Sequence, residues 1–388
     1  MPPAKLLTRA FLLAFVANLL HSWAFFAYLH LPGFLAERGA DELMIGVVFG
    51  TMAASAIALR PAVGRLLDRR GRRVVARWGS VMHLAVTFAY LSVDSIGPWL
   101  FVVRIIHGAA EAMLFSTLFT IAADVVPASR RTEGIALFGV SGLLPMSLAG
   151  VMGDLILTHA GYAELFVASS IAAALGGLCS WLLADSRPAA QADAPAPRSF
   201  LAAVMLPSLR PLWLMGLSFA LAIASYFTFL KTYVEHLGIG SMGLYYTVYS
   251  LAAIVLRLLL GWVPDRVGAR RALAPAMTGT VIGLVVLSGM GSTLEMAVAG
   301  LLCGLGHAFV FPILSSLVVT RADQSERGAA LSMFTALFDL GLLVGGPVLG
   351  VVLERTSYAV MFHTAAVVAA LGGAVALLWD RRAVPGRG

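Results

Sequence analysis

Arg104, His107 and Glu111 stand at i, i+3 and i+7 in a stretch that is otherwise apolar. On a helix this spacing sets a guanidinium, an imidazole and a carboxylate on one face. Charged groups in such a stretch are costly and usually face a cavity or each other. A carboxylate near a cation can gain or lose a proton as its partner changes, so the expected chemistry is proton exchange. The plainer alternative is an Arg and Glu pair that only holds two helices together.

A second stripe is built from Asn18, His21, Phe25 and Tyr28, at i, i+3, i+7 and i+10. An amide, an imidazole and two rings on one face suit contact with a small organic molecule. They suit hydrogen bonding between helices equally well, at about 0.6 kcal/mol per bond within a membrane. Further along, Ser218, Ser225 and Phe229 share a helix, and His307 and Phe311 lie one turn apart. Ser225, Phe229, His307 and Phe311 join the expected substrate contacts. Tyr245, Tyr246 and Tyr249 crowd one end of an apolar run and read as interfacial anchors ahead of ligands. His21, His30, His83 and His107 show no metal-ligand spacing along one helix, so neither a metal nor a cofactor is expected. Cys179 and Cys303 fall inside apolar runs and read as small apolar residues.

The elements that must position these groups are membrane spans. Of the 388 residues 60% are hydrophobic and 12% charged, with a mean hydropathy of +0.89, too apolar for a solvated surface. A span needs about 20 predominantly apolar residues. Twelve such runs can be marked off by Gly, Pro and charge, from Arg9 to Leu29 at one end to Tyr358 to Trp379 at the other. The first apolar run lacks a small-residue cleavage site and is expected to be a retained helix.

The runs divide into two sets of six because a sequence recurs. Arg60, Gly64, Asp68, Arg69, Gly71 and Arg73 return in register as Arg257, Gly261, Asp265, Arg266, Gly268 and Arg270. The expected organisation is a six-helix bundle over 1–184, a Pro- and Ala-rich cytoplasmic linker over 185–207 and a second bundle over 208–388. With the N-terminus inside, only Arg38, Lys231 and Arg355 of the 27 basic residues fall in outward loops, which predicts both termini cytoplasmic. The pI of 9.8 is then explained by anionic lipid and needs no nucleic acid. Neither Lys5 nor Lys231 follows the glycines of a nucleotide-binding loop, so any pumping is expected to draw on a gradient or a partner.

The segment Gly64-Arg-Leu-Leu-Asp68-Arg-Arg-Gly71-Arg-Arg73, between the second and third helices, resembles the loop signature of the major facilitator superfamily. Its weaker return after the eighth helix is similar to that family's second copy. Leu59-Arg60-Pro61 and the stretch from Asp124 to Gly134 resemble bacterial small exporters of the arabinose-efflux and staphylopine-exporter type. Arg104 with His107-Gly108 resembles the fourth-helix signature of proton-coupled exporters, which implies that Arg104 is the proton-linked arginine. In the fifth helix, Gly142-Leu-Leu-Pro145 through Gly150 and Gly153-Asp154 departs from the Gly-Pro-Gly signature of the family's antiporters.

The resemblance implies an all-α integral membrane protein of twelve helices in two bundles, opened to each side in turn. Gly64 and Gly71 are expected to permit tight turns, with Asp68, Arg69, Arg73 and Asp265 making contacts that gate the cytoplasmic face. Pro347, within Gly341 to Gly350, is a further hinge or gate candidate. The expected function is proton-coupled export of a small organic molecule by a monomer in a bacterial cytoplasmic membrane, with membrane lipid as its surroundings. Uptake of a sugar or organic acid with protons is the nearest alternative, followed by lipid transport and a non-transporting receptor. An intramembrane enzyme would need a catalytic constellation such as paired zinc-ligating histidines, which these residues do not supply, so no enzyme is expected.

Overall fold

The computed structural model describes residues 6–127, 130–184, 206–322 and 327–383. Among them, twelve helices are long and apolar enough to cross a membrane. They are α1 (Arg9–Ala36), α2 (Glu42–Arg70), α3 (Arg72–Ala89), α4 (Pro98–Val125), α5 (Arg131–His159) and α6 (Tyr162–Leu182). The second set is α7 (Arg210–Leu237), α8 (Met242–Leu260), α9 (Ala269–Ser288), α10 (Thr293–Arg321), α11 (Arg327–Arg355) and α12 (Tyr358–Ala383). No strand occurs among the described residues. The expected linker lies outside them as far as residue 205.

Local chemistry fixes the helix starts. The Thr8 hydroxyl accepts from Phe11 N–H (3.2 Å), Ser241 from Leu244 (3.0 Å) and the Asp41 carboxylate from Met44 (2.7 Å), each satisfying a first-turn donor. At α10, Ser292 caps Glu295 N–H while the Glu295 carboxylate reaches back to Gly291 N–H. Within α1, Pro32 has no N–H to offer Tyr28 O. Leu31 N–H takes that carbonyl instead, at the end of a 3₁₀ turn over Ala27–His30. The outward faces carry rows such as Ile171, Leu175 and Leu178 on α6, exposed side chains spaced for a lipid-facing stripe.

Contacts partition the chain into two units, Met1–Gly39 with Thr51–Gln191, and Ala40–Gly50 with Ala192–Gly388. In the first, α1 packs on α4, α5 and α6, and α3 on α4 and α6. In the second, α7 packs on α11 and α12, and α9 on α10 and α12. The same close approach recurs in both. A Cβ on Gly108 of α4 would run into the Met52 carbonyl of α2, and one on Gly304 of α10 into the Tyr249 carbonyl of α8. The start of α2 meets α11 in the same manner, Gly46 lying against Gly346 and Glu42 against Gly350.

The repeated basic segment differs from the expected loop. Helix α2 continues through Pro61 to Arg70, and only Gly71, at φ 87°, separates it from α3. Gly64 is therefore a helical residue with open space around it, and its expected turn role does not hold. The turn belongs to Gly71 and to its counterpart Gly268, at φ 91°, where a Cβ would be strained. In the second copy a five-residue helix, Val263–Val267, precedes Gly268, and Asp265 on it is exposed. Arg69 and Arg73 are exposed too, while the Asp68 side chain lies outside the described residues. Pro347 lies within α11 and the helix continues past it.

Candidate functional site

The first unit holds a buried polar chain. Arg104, 1% exposed, donates from Nη1 to the Tyr90 hydroxyl (3.1 Å), which lies 3.1 Å from His107 Nδ1. Arginine only donates, so Tyr90 accepts from it and directs its own O–H at His107. The helix α4 thus brings Arg104 and His107 together through a tyrosine from the end of α3. Glu111 is half-buried, one turn beyond His107.

The α1 stripe meets a matching one on α3. Ser80, His83, Thr87 and Tyr90 follow the same i, i+3, i+7, i+10 spacing and are all buried. His21 Nδ1 lies 3.0 Å from His83 Nδ1, and His21 Nε2 lies 3.1 Å from Ser80 Oγ. Tyr28 donates to Thr87 O (3.4 Å), with its ring 4.3 Å from that of Tyr90 and 4.8 Å from that of His107. Asn18 donates to Ser141 Oγ of α5 (2.9 Å). Three of the four expected substrate contacts on α1 are therefore engaged between helices of one unit. Phe25 alone is half-buried without a hydrogen-bonding role, its ring edge-on to His107 at 5.8 Å.

Small residues make room for this chain. A Cβ on Gly176 of α6 would lie 3.0–3.1 Å from the His21 ring, and one on Gly177 would lie 3.5 Å from Ser80 Cβ. Outside the chain, His30 Nδ1 is 3.8 Å from Asp154 Oδ1. Arg72 pairs with Asp124 at 3.2 Å, joining the start of α3 to the end of α4.

The second unit gathers rings. His307 is half-buried, with Nδ1 2.7 Å from the Tyr249 hydroxyl and its carbonyl accepting from Arg257 Nη2 (3.2 Å). Its ring lies parallel to that of half-buried Phe311 (6.2 Å, 4°), which touches Phe334 and Phe338 at 5.2 and 5.1 Å. Ser225 and Phe229 are wholly enclosed, Ser225 donating to Ala222 O, so the structure gives these two expected substrate contacts no open face. Tyr245, Tyr246 and Tyr249 are fully buried beside Tyr226 and are core residues, not interfacial anchors. Near the ends of α10 and α12, Arg321 pairs with Asp380 and also donates to Ser208 O.

Tyr90, Ser80 and Ser141 were not among the residues expected from the sequence, and His83 was considered only as a metal ligand. The signal was present on α3, whose polar residues repeat the α1 spacing, and it becomes informative only when the two stripes face each other. Among the described residues no group of His, Cys, Asp and Glu is arranged to hold a metal ion. Cys179 and Cys303 are free thiols.

Comparison with known proteins agrees along the chain's length. The family model described as Major Facilitator Superfamily matches residues 11–245 and 239–388. The chain is 27% identical over 369 residues to the MFS-type transporter YhhS of Escherichia coli strain K12, covering 92% of this chain and 88% of that protein. It is 25% identical over 366 residues to YhhS of Salmonella typhimurium, with the same coverage. In structure it is similar to the nucleoside transporter NupG, with a TM-score of 0.76 at 13% identity, over 96% of this chain and 99% of that one. It is also similar to the human organic anion transporter MFSD10, with a TM-score of 0.73 at 19% identity, over 97% and 100%. With its duplicated basic turn, its twelve spans and its family match from residue 11 to 388, this chain belongs to the Major Facilitator Superfamily and is a secondary transporter, not an enzyme.

Proposed function

We propose that the protein exports a small organic molecule in exchange for protons, by alternating access, from the bacterial cytoplasm across the inner membrane. The observation that carries this reading is Arg104. A guanidinium enclosed at depth in a span, bonded through Tyr90 to His107, is costly to keep and joins a fixed positive charge to a titratable ring. A proton gained or lost beside it changes the local charge balance, the differential interaction that coupling requires. Glu111, half-buried one turn away, is the proposed carboxylate partner in this exchange.

For the substrate we assign Phe25 in the first unit and His307 with Phe311 in the second. These half-buried rings suit an amphipathic drug, metabolite or metal-chelating small acid. Asp68 and Asp265, with the arginines beside them, are proposed to bias the conformational equilibrium from the cytoplasmic side, and the protein is proposed to act as a monomer with both termini inside. The arabinose-efflux and staphylopine-exporter type is its proposed place in the family.

The test is substrate-induced proton movement in proteoliposomes, with a panel of cationic drugs, organic acids and metal chelators. Proton movement opposite to that of one panel member is expected, and it names the chemical class. Proton movement in the same direction as a sugar or organic acid would replace export by symport. Silence across the panel from folded protein would reject the proposal in favour of lipid transport or a receptor.

A further inference from the structure

We infer that His21 and His83 form a site in the first unit that binds one transferable proton. The inference uses the proton-coupled reading for the site's purpose and the hydrogen-bond geometry for its existence.

The geometry fixes where the protons sit. Ser80 spends its hydroxyl proton on Ala76 O (2.8 Å), and Ser180 spends its own on Gly176 O (3.0 Å). Both hydroxyl oxygens can then only accept, and His21 Nε2 lies 3.1 Å from the first and 3.5 Å from the second. His21 therefore carries its proton on Nε2, and its Nδ1 is bare when the ring is neutral. The 3.0 Å approach of the two Nδ1 atoms requires one proton between them, so His83 supplies it as Nδ1–H and leaves its own Nε2 bare.

This arrangement accepts one further proton and no more. A proton arriving on His83 Nε2 makes that ring an imidazolium without disturbing the shared bond. The central proton can then pass from His83 Nδ1 to His21 Nδ1, breaking one N–H bond and making another. The positive charge moves from the α3 ring to the α1 ring, and the same steps in reverse, ending with release of the proton from His83 Nε2, restore the starting arrangement. A second added proton would put N–H groups on both facing nitrogens and break the bond.

The surroundings set the same limit. From α4, the His107 ring lies 5.5 Å from His83, with Arg104 joined to it through Tyr90, and Glu111 is one turn beyond. From α1 and α3, Tyr28 and Tyr90 close the chain at 4.3 Å from each other. From α6 the neighbours are Ser180 and Gly176, and Cys179 packs against the apolar cluster around Phe11 and Leu118. Two of the cations on these elements, Arg104, joined through Tyr90 to His107, and Arg77, which donates to Trp181 O beside Ser180, oppose a doubly charged pair.

The test is a potentiometric difference titration in nanodiscs from pH 8 to pH 4, wild type against the double variant His21→Gln, His83→Gln. Wild type should take up one proton more. A difference of zero makes the pair inert, a difference of two makes the rings independent, and either overturns the inference. A measurement on the unaltered protein guards against misfolding of the variant. With nitrogen-15 labelled histidine, a scalar coupling should connect one protonated and one bare Nδ1, and its absence would overturn the geometry. Neither readout uses a substrate. One shared proton together with silent proteoliposomes would keep the site and reject the exporter, whereas proton-coupled export by the double variant would reject the site's role and keep the exporter.

Discussion

Replacing Gly176 by Ala tests how firmly the histidine pair is held. The new Cβ would stand 3.0 Å from His21 Cδ2 and 3.1 Å from both Cγ and Nε2. The ring cannot withdraw freely, because His83 holds Nδ1 at 3.0 Å and Ser80 holds Nε2 at 3.1 Å. Overpacking a close-packed site costs about 1–3 kcal/mol, and stretching one buried hydrogen bond adds about 1 kcal/mol. Against this stands a gain of about 0.4–1 kcal/mol from replacing a flexible glycine, so the net loss should be about 1–3 kcal/mol. The control is Gly64→Ala, at a helical position with nothing within 4 Å, where only the gain applies. Unfolding of both variants in detergent, followed by tryptophan fluorescence, should move the midpoint down for Gly176→Ala and slightly up for Gly64→Ala. Two equal upward shifts would show that His21 is free to move, and the pinned geometry would be wrong.

Arg104→Lys should impair transport while leaving the protein folded, since a point charge on a flexible stem does not reproduce the fixed direction of the guanidinium N–H that meets Tyr90; undiminished proton-coupled flux would remove Arg104 from the mechanism. Gly71→Ala should cost about 1 kcal/mol or more of stability, because its φ of 87° disfavours any Cβ, and an unchanged unfolding midpoint would contradict the assigned turn. Asn18→Ala leaves Ser141, which also donates to Phe138 O, without its α1 donor and should lower stability by about 1 kcal/mol in the same unfolding assay. Gly46→Val should push the start of α2 away from Gly346 and separate Glu42 from Tyr358, now bonded at 2.8 Å. Loss of thiol cross-linking between Glu42→Cys and Tyr358→Cys would report that separation, and full retention would refute it.

Much of the fold could be read from the sequence because the membrane permits few solutions. A backbone surrounded by hydrocarbon must satisfy its own hydrogen bonds, so long apolar runs become helices and charge marks their ends. The site was legible where chemistry was concentrated on one element, as with Arg104 and His107 on α4. It was illegible where partners came from different helices: His83 on α3 and Tyr90 just past its end are ordinary residues until α1 and α4 are laid beside them. The same limit explains the errors over Tyr245, Tyr246 and Tyr249, which lie near a helix end in sequence and inside the second unit in space.

Hydropathy, the duplicated basic turn and the distribution of arginine thus determined, from the sequence alone, a twelve-helix membrane protein built as two related halves. These properties depend on composition and spacing along the chain. Only the tertiary structure decided that the α1 stripe faces α3 within one unit, that Gly64 is helical while Gly71 turns, and that two histidines from separate spans share a hydrogen bond. Helical periodicity specifies which residues share a face, whereas the neighbour that face meets is set by close packing of small residues such as Gly108 and Gly176, whose fit exists only between helices.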